Sequence, residues 1–268
     1  MPFDAELQAA LEAARAASAL ILDAYAIFDP VSNPRADIST DADRQSQELI
    51  LAHLHRRFPT DALCAEEATP SLAGAPTDGP RRWIVDPIDG TRGFAMKNGE
   101  FSVMIAFLQE NQVQVGVVLE PARQRLTYAV RGGRCWRQDG DGRAVPCHVS
   151  TTIALSVATL TQSHSRSAGQ SSRPVQVLAP KVVKETYSAG LKMALVARGE
   201  ADLYVNSYPQ FHDWDICAGQ VLVEEAGGKV TGLKGQAIVY GWEGAWQRNG
   251  MLASNGVLHA AALAALTT

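Results

Sequence analysis

Over the first sixty positions, buried-type residues recur every three to four places, and that spacing predicts two helices. Leu7, Leu11, Ala14, Ser18, Leu22 and Tyr25 fall at helical intervals, with Glu6, Glu12 and Arg15 between them. Asp29, Pro30, Asn33 and Pro34 break this segment into a loop. A second helix is expected from Thr40 or Asp41, carrying Leu49, Ile50, Leu54 and Phe58 and stopped at Pro59. A short strand at 62–65 then leads into Glu66-Glu67, and 68–80, rich in Pro, Gly, Ala and Thr, reads as a surface loop. A buried strand at 83–85 runs straight into Asp86-Pro87-Ile88-Asp89-Gly90-Thr91.

From 101 onward the pattern turns to strands. Segments 101–108, 113–119, 126–130 and 135–137 are separated by turn formers such as Glu110-Asn111 and Gly132-Gly133, which predicts an antiparallel meander. After Asp139-Gly140-Asp141-Gly142 the composition shifts, and a boundary is expected near residue 148, dividing 1–148 from 149–268. The second half reads as strands at 155–160 and 175–178, a helix over 188–198, a strand at 203–205 and a helix over 215–226. Gly227-Gly228 closes that last helix where a C-cap prefers glycine.

The chain has 268 residues, 46% of them hydrophobic, enough for a sizeable core. A net charge of -4 argues against nucleic-acid polymers and anionic membrane surfaces as partners. A small phosphorylated metabolite is compatible, because a bound metal reverses the local field. Cys64, Cys135, Cys147 and Cys217 are far apart in sequence with no C-x-x-C pair, so they read as reduced thiols rather than a zinc site or a disulfide framework. Early acidic residues and the Asp23 interruption of the apolar stretch 16–28 argue against a secretory signal or a membrane span; a cytoplasmic protein is expected.

Two carboxylates three residues apart, just after a buried strand, converge on one point if Pro87 fixes the backbone between them. Gly90 permits a sharp turn, and Thr91 presents a hydroxyl at a helix start. Hard oxygen donors of this kind suit Mg²⁺; the same hexapeptide also reads as an Asp-Pro turn followed by an Asx-Gly turn. Glu66-Glu67 stands at a strand end but would be ordinary on a solvated surface. Asp215, in His212-Asp213-Trp214-Asp215, reads equally as a helix cap, and Asp43 as part of an acidic first turn.

Taken together, these stretches resemble the inositol monophosphatase superfamily of magnesium-dependent, lithium-sensitive phosphatases. The resemblance rests on Asp-Ile-Ser-Thr-Asp-Ala-Asp at 37–43, Trp-Ile-Val-Asp-Pro-Ile-Asp-Gly-Thr at 83–91 and Trp-Asp-Ile-Cys-Ala-Gly at 214–219, in order and with Glu66-Glu67 between the first two. It implies an αβαβα sandwich of the α/β class, with the site between two halves. The N-terminal half would carry most metal ligands, and the C-terminal half would supply Asp215 and substrate contacts. Glu66, Asp86 and the carbonyl of Ile88 would hold one Mg²⁺, and Asp86, Asp89 and Asp215 a second. Asp43 would position a third ion or its water, Thr91 would orient the attacking water, and Glu67 and His212 would support the ligands. The amides of Gly90 and Thr91 would receive the phosphate. The family precedent on oligomers is mixed and leaves a homodimer open.

Within the superfamily, the middle of the chain resembles the CysQ-type 3'(2'),5'-bisphosphate nucleotidases. Asp-Gly-Thr-Arg-Gly-Phe at 89–94, Asn-Gly-Glu-Phe-Ser-Val at 98–103, Gln-Ser-His-Ser at 162–165 and the 191–204 segment carry this likeness. It implies hydrolysis of adenosine 3',5'-bisphosphate, with Lys192 and Arg92 as contacts for the second phosphate or the ribose; a solvent-facing Lys192 is the plainer alternative. Ser188-Ala189-Gly190 and Arg35 depart from the nucleotidase pattern, and both departures are expected on the substrate side. Inositol-1-phosphate and histidinol phosphate are the rival substrates, and a non-catalytic metal-binding regulator is the alternative of a different class.

Overall fold

The computed structural model describes residues 2–164, 171–208, 211–241 and 243–267; Ser165, at the end of the 162–165 motif, lies outside them. Two long helices, α1 (Asp4–Ile27) and α2 (Asp41–Arg57), come first. A seven-stranded sheet follows: β1 (Ala62–Ala65), β2 (Arg81–Asp89), β3 (Ser102–Gln109), β4 (Gln112–Glu120), β5 (Arg125–Val130), β6 (Cys135–Asp139) and β7 (Val145–Pro146). Its strands lie in chain order, β1 and β2 parallel and the rest antiparallel. Between β1 and β2 sits a one-turn helix, α3 (Pro70–Ala73), and between β2 and β3 a short one, α4 (Thr91–Ala95).

The second half builds β8 (Thr159–Gln162), α5 (Arg173–Leu178), β9 (Val182–Glu185), α6 (Ala189–Ala197) and β10 (Leu203–Asn206). It continues through β11 (Phe211–His212), α7 (Asp213–Glu225), β12 (Lys229–Thr231), β13 (Trp246–Gln247), β14 (Met251–Ser254) and α8 (His259–Thr267). Five of these strands form a second sheet in the order β12-β14-β10-β8-β9, while β11 pairs with β13.

Alternation along the strands decides how the layers stack. Side chains in a strand point to opposite faces in turn, and β3 is apolar on both. Val103, Ile105 and Phe107 pack toward α1 and α2, whereas Met104, Ala106 and Leu108 pack toward α6 and α7. In β10, Tyr204 joins that same α6–α7 core while Leu203 and Val205 face α5 and α8. Three cores therefore join five layers, helices–sheet–helices–sheet–helices, the middle core filling both faces of the α6–α7 layer, which is the αβαβα sandwich.

Three local expectations are corrected. Segment 175–178 is part of helix α5, because Ser172 caps it (Val175 N to Ser172 Oγ, 3.4 Å) and Pro174 stands in its first turn. Segment 155–160 begins as a 3₁₀ turn at 155–157, and β8 starts only at Thr159. The 68–80 loop contains α3, opened by Pro70 at its first position.

Helix α7 lies directly on β4, and Gly116 makes the approach possible. A Cβ there would stand 2.3 Å from the Ala218 carbonyl oxygen and 2.5 Å from Val221 Cγ1. Gly116→Ala is therefore expected to destabilise the protein by about 1–3 kcal/mol through overpacking, read as a lower urea midpoint with an unchanged slope.

Candidate metal centre and active site

The site is built where β2 stops behaving as a regular strand. Asp86 pairs with Met104 and Asp89 with Ser102, so three steps on β2 match two on β3. In a regular strand, residues three apart point to opposite faces; the extra residue of a bulge turns Asp86 and Asp89 to the same side. Pro87, unable to donate to a ladder, sits where the ladder is interrupted. Gly90 then takes φ 88°, and a Cβ there would stand 2.6 Å from the Glu100 carbonyl oxygen, so only glycine fits the turn into α4.

Asp215 arrives from the other half. It is the third residue of α7, not its cap: the helix begins at Asp213, and the His212 amide donates to Asp215 Oδ2 at 2.6 Å. His212 is clamped between Trp214 (ring centroids 4.2 Å apart, nearly parallel) and Trp246 (3.9 Å). That sandwich immobilises the backbone that positions Asp215. Asp213 does different work, accepting from Gly241 N and Gln247 Nε2, both at 2.8 Å.

Oxygens of Asp86, Asp89 and Asp215 lie within 4.8 Å of one another. Asp86 is buried, and its Oδ1 has no hydrogen-bond partner among the described residues. A buried carboxylate oxygen without a donor, on a member of an all-carboxylate group, calls for a partner such as a water or an ion, and three hard oxygen donors this close together fit Mg²⁺. Burial first, and then the charges of Glu66, Asp89, Asp215 and Asp43, push Asp86 well up. Asp215 is pushed up to about 7, mainly by burial and also by Asp89. Glu66, after β1, is exposed as a residue but its carboxyl crowds the same group; desolvation and the charges of Asp215, Asp43, Glu67 and Asp89 raise it to about 8. Solvent contact screens that repulsion.

Asp43 and Thr91 form a second unit beside the cluster. Thr91 Oγ1 lies 3.0 Å from both Asp43 Oδ1 and the Ile88 carbonyl oxygen, two alternative acceptors for one proton. Asp43 is at once the third residue of α2 and Thr91's acceptor, its Oδ2 taking the Thr40 amide (2.9 Å) and hydroxyl (2.6 Å). Glu67 is pinned by Gln47 through its amide (2.7 Å) and carbonyl, and by the Ser39 hydroxyl (2.6 Å).

On the substrate side, one expectation changes, that for 188–190, and one alternative, a solvent-facing Lys192, is excluded. Ser188-Ala189-Gly190 serves Asp89: the Ser188 hydroxyl, the Ala189 amide (3.1 Å) and the Gly190 amide (2.6 Å) all donate to its carboxylate. The sequence signals a helix start there, but nothing local reveals a partner about a hundred residues away. Lys192 is 2% exposed rather than solvent-facing, and its ammonium donates to Ser163 Oγ (3.0 Å) and the carbonyls of Thr186 (3.1 Å) and Tyr187. Those three acceptors match its three protons. Burial lowers it to about 8 against the pull of Asp89, Asp215 and Glu100.

A cavity of about 620 Å³ opens over Asp89 and Asp215 and is walled by Arg92, His164, Tyr187 and Asn206. Arg92 and Tyr187 also line an adjoining cavity of about 520 Å³ beside Asn33 and Arg35. The Arg92 guanidinium lies over the Tyr187 ring at 5.0 Å, and its buried Nε has no hydrogen-bond partner among the described residues. His164 packs against Tyr187 with its ring tilted by 44° (centroids 4.5 Å apart) and contacts Glu100 Oε2 at 2.7 Å. Arg35 is exposed and taken up by Asp37 at 2.7 and 2.9 Å. Tyr187 and Glu100 drew no attention as single residues in the sequence.

Fold and site together define a metal-assisted phosphatase of the layered αβαβα type. Residues 4–268 match the inositol monophosphatase family, and the chain belongs to that family, whose members generally use Mg²⁺. A fructose-1,6-bisphosphatase/inositol-1-monophosphatase of Thermotoga maritima is 31% identical over 229 residues, 83% of this chain and 80% of that one. A histidinol-phosphatase of Mycobacterium tuberculosis is 32% identical over 259 residues, 95% of each. The solved inositol monophosphatase of Anabaena (Nostoc) matches with TM-score 0.81 and 28% identity, covering 100% of this chain and 97% of that one. No helix among the described residues is long and apolar enough to cross a membrane.

The raised carboxyls have a pH consequence. Their folded-state values exceed the ordinary range near 4, so the stability they contribute is complete at low pH and lost as pH rises through about 7 and 8. Metal-free protein is expected to melt at progressively lower temperature between about pH 6 and 8. Saturating Mg²⁺ should flatten that slope in differential scanning calorimetry.

Proposed function

We propose that the chain hydrolyses a small phosphomonoester with Mg²⁺, and that histidinol phosphate and inositol-1-phosphate rank ahead of a bisphosphate nucleotide as substrates. The observation that carries the hydrolase reading is the close Asp86–Asp89–Asp215 group, one member of which, Asp86, has a buried oxygen with no hydrogen-bond partner among the described residues. Those three aspartates would hold the cation, with Glu66 and the Ile88 carbonyl at the edge of the same site. Bound there, a divalent ion polarises a phosphoryl oxygen and makes water more acidic at neutral pH. Thr91, donating to Asp43, keeps lone pairs free to accept a proton from the attacking water. The amides of Gly90 and Thr91 would receive the phosphate.

Support for the substrate order comes from two directions. The histidinol-phosphatase relative spans nearly the whole chain. The cavity wall also sets His164 between Glu100 (2.7 Å) and Glu185 (3.6 Å), and such a carboxylate-backed rim suits an amino-alcohol substrate carrying positive charge. The commitment of Lys192 to Ser163, Thr186 and Tyr187 leaves less cation for a second phosphate. One observation favours the bisphosphate nucleotide as a second reading: Arg92, with its orphaned Nε, stands where the two cavities meet.

Phosphate release from histidinol phosphate, inositol-1-phosphate, adenosine 3',5'-bisphosphate and fructose-1,6-bisphosphate, with Mg²⁺ and then with EDTA, tests this ranking. The expected result is an EDTA-abolished activity highest on one of the first two. Preference for the bisphosphate nucleotide, lost selectively in Arg92→Gln, would install the second reading. Release from none of the four, with Mg²⁺ bound, would favour a non-catalytic regulator.

Two variants test the mechanism. Thr91→Ala is expected to lower kcat about 10²–10⁴-fold with KM little changed, the usual range for loss of a proton-handling group. Asp215→Asn is expected to raise the Mg²⁺ concentration needed for half-activity while moving the urea midpoint little. An unaltered Mg²⁺ requirement would remove Asp215 from the ligand set.

A further inference from the structure

Away from the carboxylate cluster, two thiols face each other at the far edge of the first sheet. Cys135 opens β6 and Cys147 follows β7. Trp136 pairs with Pro146 and Arg137 with Val145, so Cys135 and Cys147 are the next opposed residues in the antiparallel register. The Cys147 amide donates to the Cys135 carbonyl at 2.8 Å, and the two thiols are hydrogen-bonded to one another. Both are buried and free. Directly opposed residues in antiparallel strands have Cα atoms about 4.5–5.5 Å apart, inside the roughly 4.4–6.8 Å that a disulfide spans.

Charge around the pair is asymmetric. Arg198, at the C-terminal end of α6, has a side chain only 1% exposed. Its Nη1 donates to Glu120 (2.6 Å) and Thr127 (3.0 Å) and its Nε to Glu200 (2.8 Å). Its Nη2 is buried and has no acceptor among the described residues. The hydrogen bond from Cys135, and then the positive charges of Arg198 and Arg137, hold the Cys147 thiol below its ordinary value. Cys135 is pushed up by that same bond and by burial. Burial and the Asp213 carboxylate push Cys64 up to about 12 and Cys217 up as well. Access to Cys147 is also local. Strand β7 is two exposed residues at a sheet edge, the kind of short segment with few buried contacts for which local opening costs least.

We propose that Cys135 and Cys147 form a thiol–disulfide exchange site that takes small-molecule disulfides, with Cys147 as the attacking sulfur. The Cys147 thiolate attacks one sulfur of the small disulfide, whose S–S bond breaks to release one thiolate and leave a mixed disulfide on Cys147. Cys135 gives its proton to that released thiolate and attacks Cys147 Sγ, expelling the second small thiolate, which takes up the proton Cys147 lost to solvent. Two electrons pass from the protein sulfurs to the small disulfide, and two small thiols and one protein disulfide result.

The test incubates the native protein with excess oxidised glutathione, then counts thiols and maps peptides by mass spectrometry. The wild type is expected to fall from four free thiols to two, with a 135–147 cross-link that dithiothreitol reverses. Cys135→Ser should stop at a single glutathione adduct on Cys147, and Cys147→Ala should take up none at Cys135. Retention of all four thiols in the native wild type, while urea-unfolded protein reacts fully, would overturn the proposal. So would a cross-link through Cys64 or Cys217. The wild-type result decides the matter even if a variant folds poorly.

Discussion

Three aspartates from two distant stretches of chain, with oxygens held within 4.8 Å of one another, repel, and the molecule is arranged to withstand that repulsion. Each carboxylate is restrained differently. Asp89 is seated against the start of α6 by Ser188 and the amides of Ala189 and Gly190. Asp215 is anchored by the His212 amide and by the aromatic clamp around His212. Asp86 has a buried oxygen with no hydrogen-bond donor among the described residues, and a cation's charge would satisfy it. Lys192, buried near the cluster, offsets part of the negative charge without reaching it by hydrogen bond.

The layers make those restraints rigid. Helices α6 and α7 lie between the two sheets and share one core with the inner face of β3 and β4, with Gly116 allowing α7 to rest on the sheet. The bulged end of β2 and the first turn of α7 are therefore fixed relative to each other by packing on both sides. A site assembled from two halves needs this, because a shift of one layer would separate Asp215 from Asp86 and Asp89. The same helix α6 that seats Asp89 also carries Lys192, whose bonds to Ser163, Thr186 and Tyr187 tie down the cavity wall. The seating of Asp89 and the tie to the cavity wall thus both rest on one short helix.

The long periodic segments were legible in the chain. Both N-terminal helices, the meander and the helix that carries Asp215 follow from spacing, prolines and glycines, since they are set by which face of a local element must be apolar. The ends of β8 and the helix at 173–178 were not, because a four-residue apolar run fits either a strand or a capped turn until its neighbours are known. At the site, the residue types and the Asp-Pro-Ile-Asp-Gly-Thr order pointed to a hard cation and a phosphate, and the resemblance carried by three stretches pointed to the family that residues 4–268 match.

The sequence by itself determined the kind of chemistry, because carboxylates, a threonine and a turn glycine at fixed intervals limit what can be bound. Tertiary structure alone decided that Asp86 and Asp89 share a face, since that depends on one extra residue relative to β3. It also decided that Ser188 serves Asp89 and that Lys192 turns inward, and that Cys135 meets Cys147 across a sheet edge. Each of these is a meeting of groups 3 to about 100 residues apart, and such meetings are fixed by the register and packing of whole layers rather than by anything a local stretch of chain encodes.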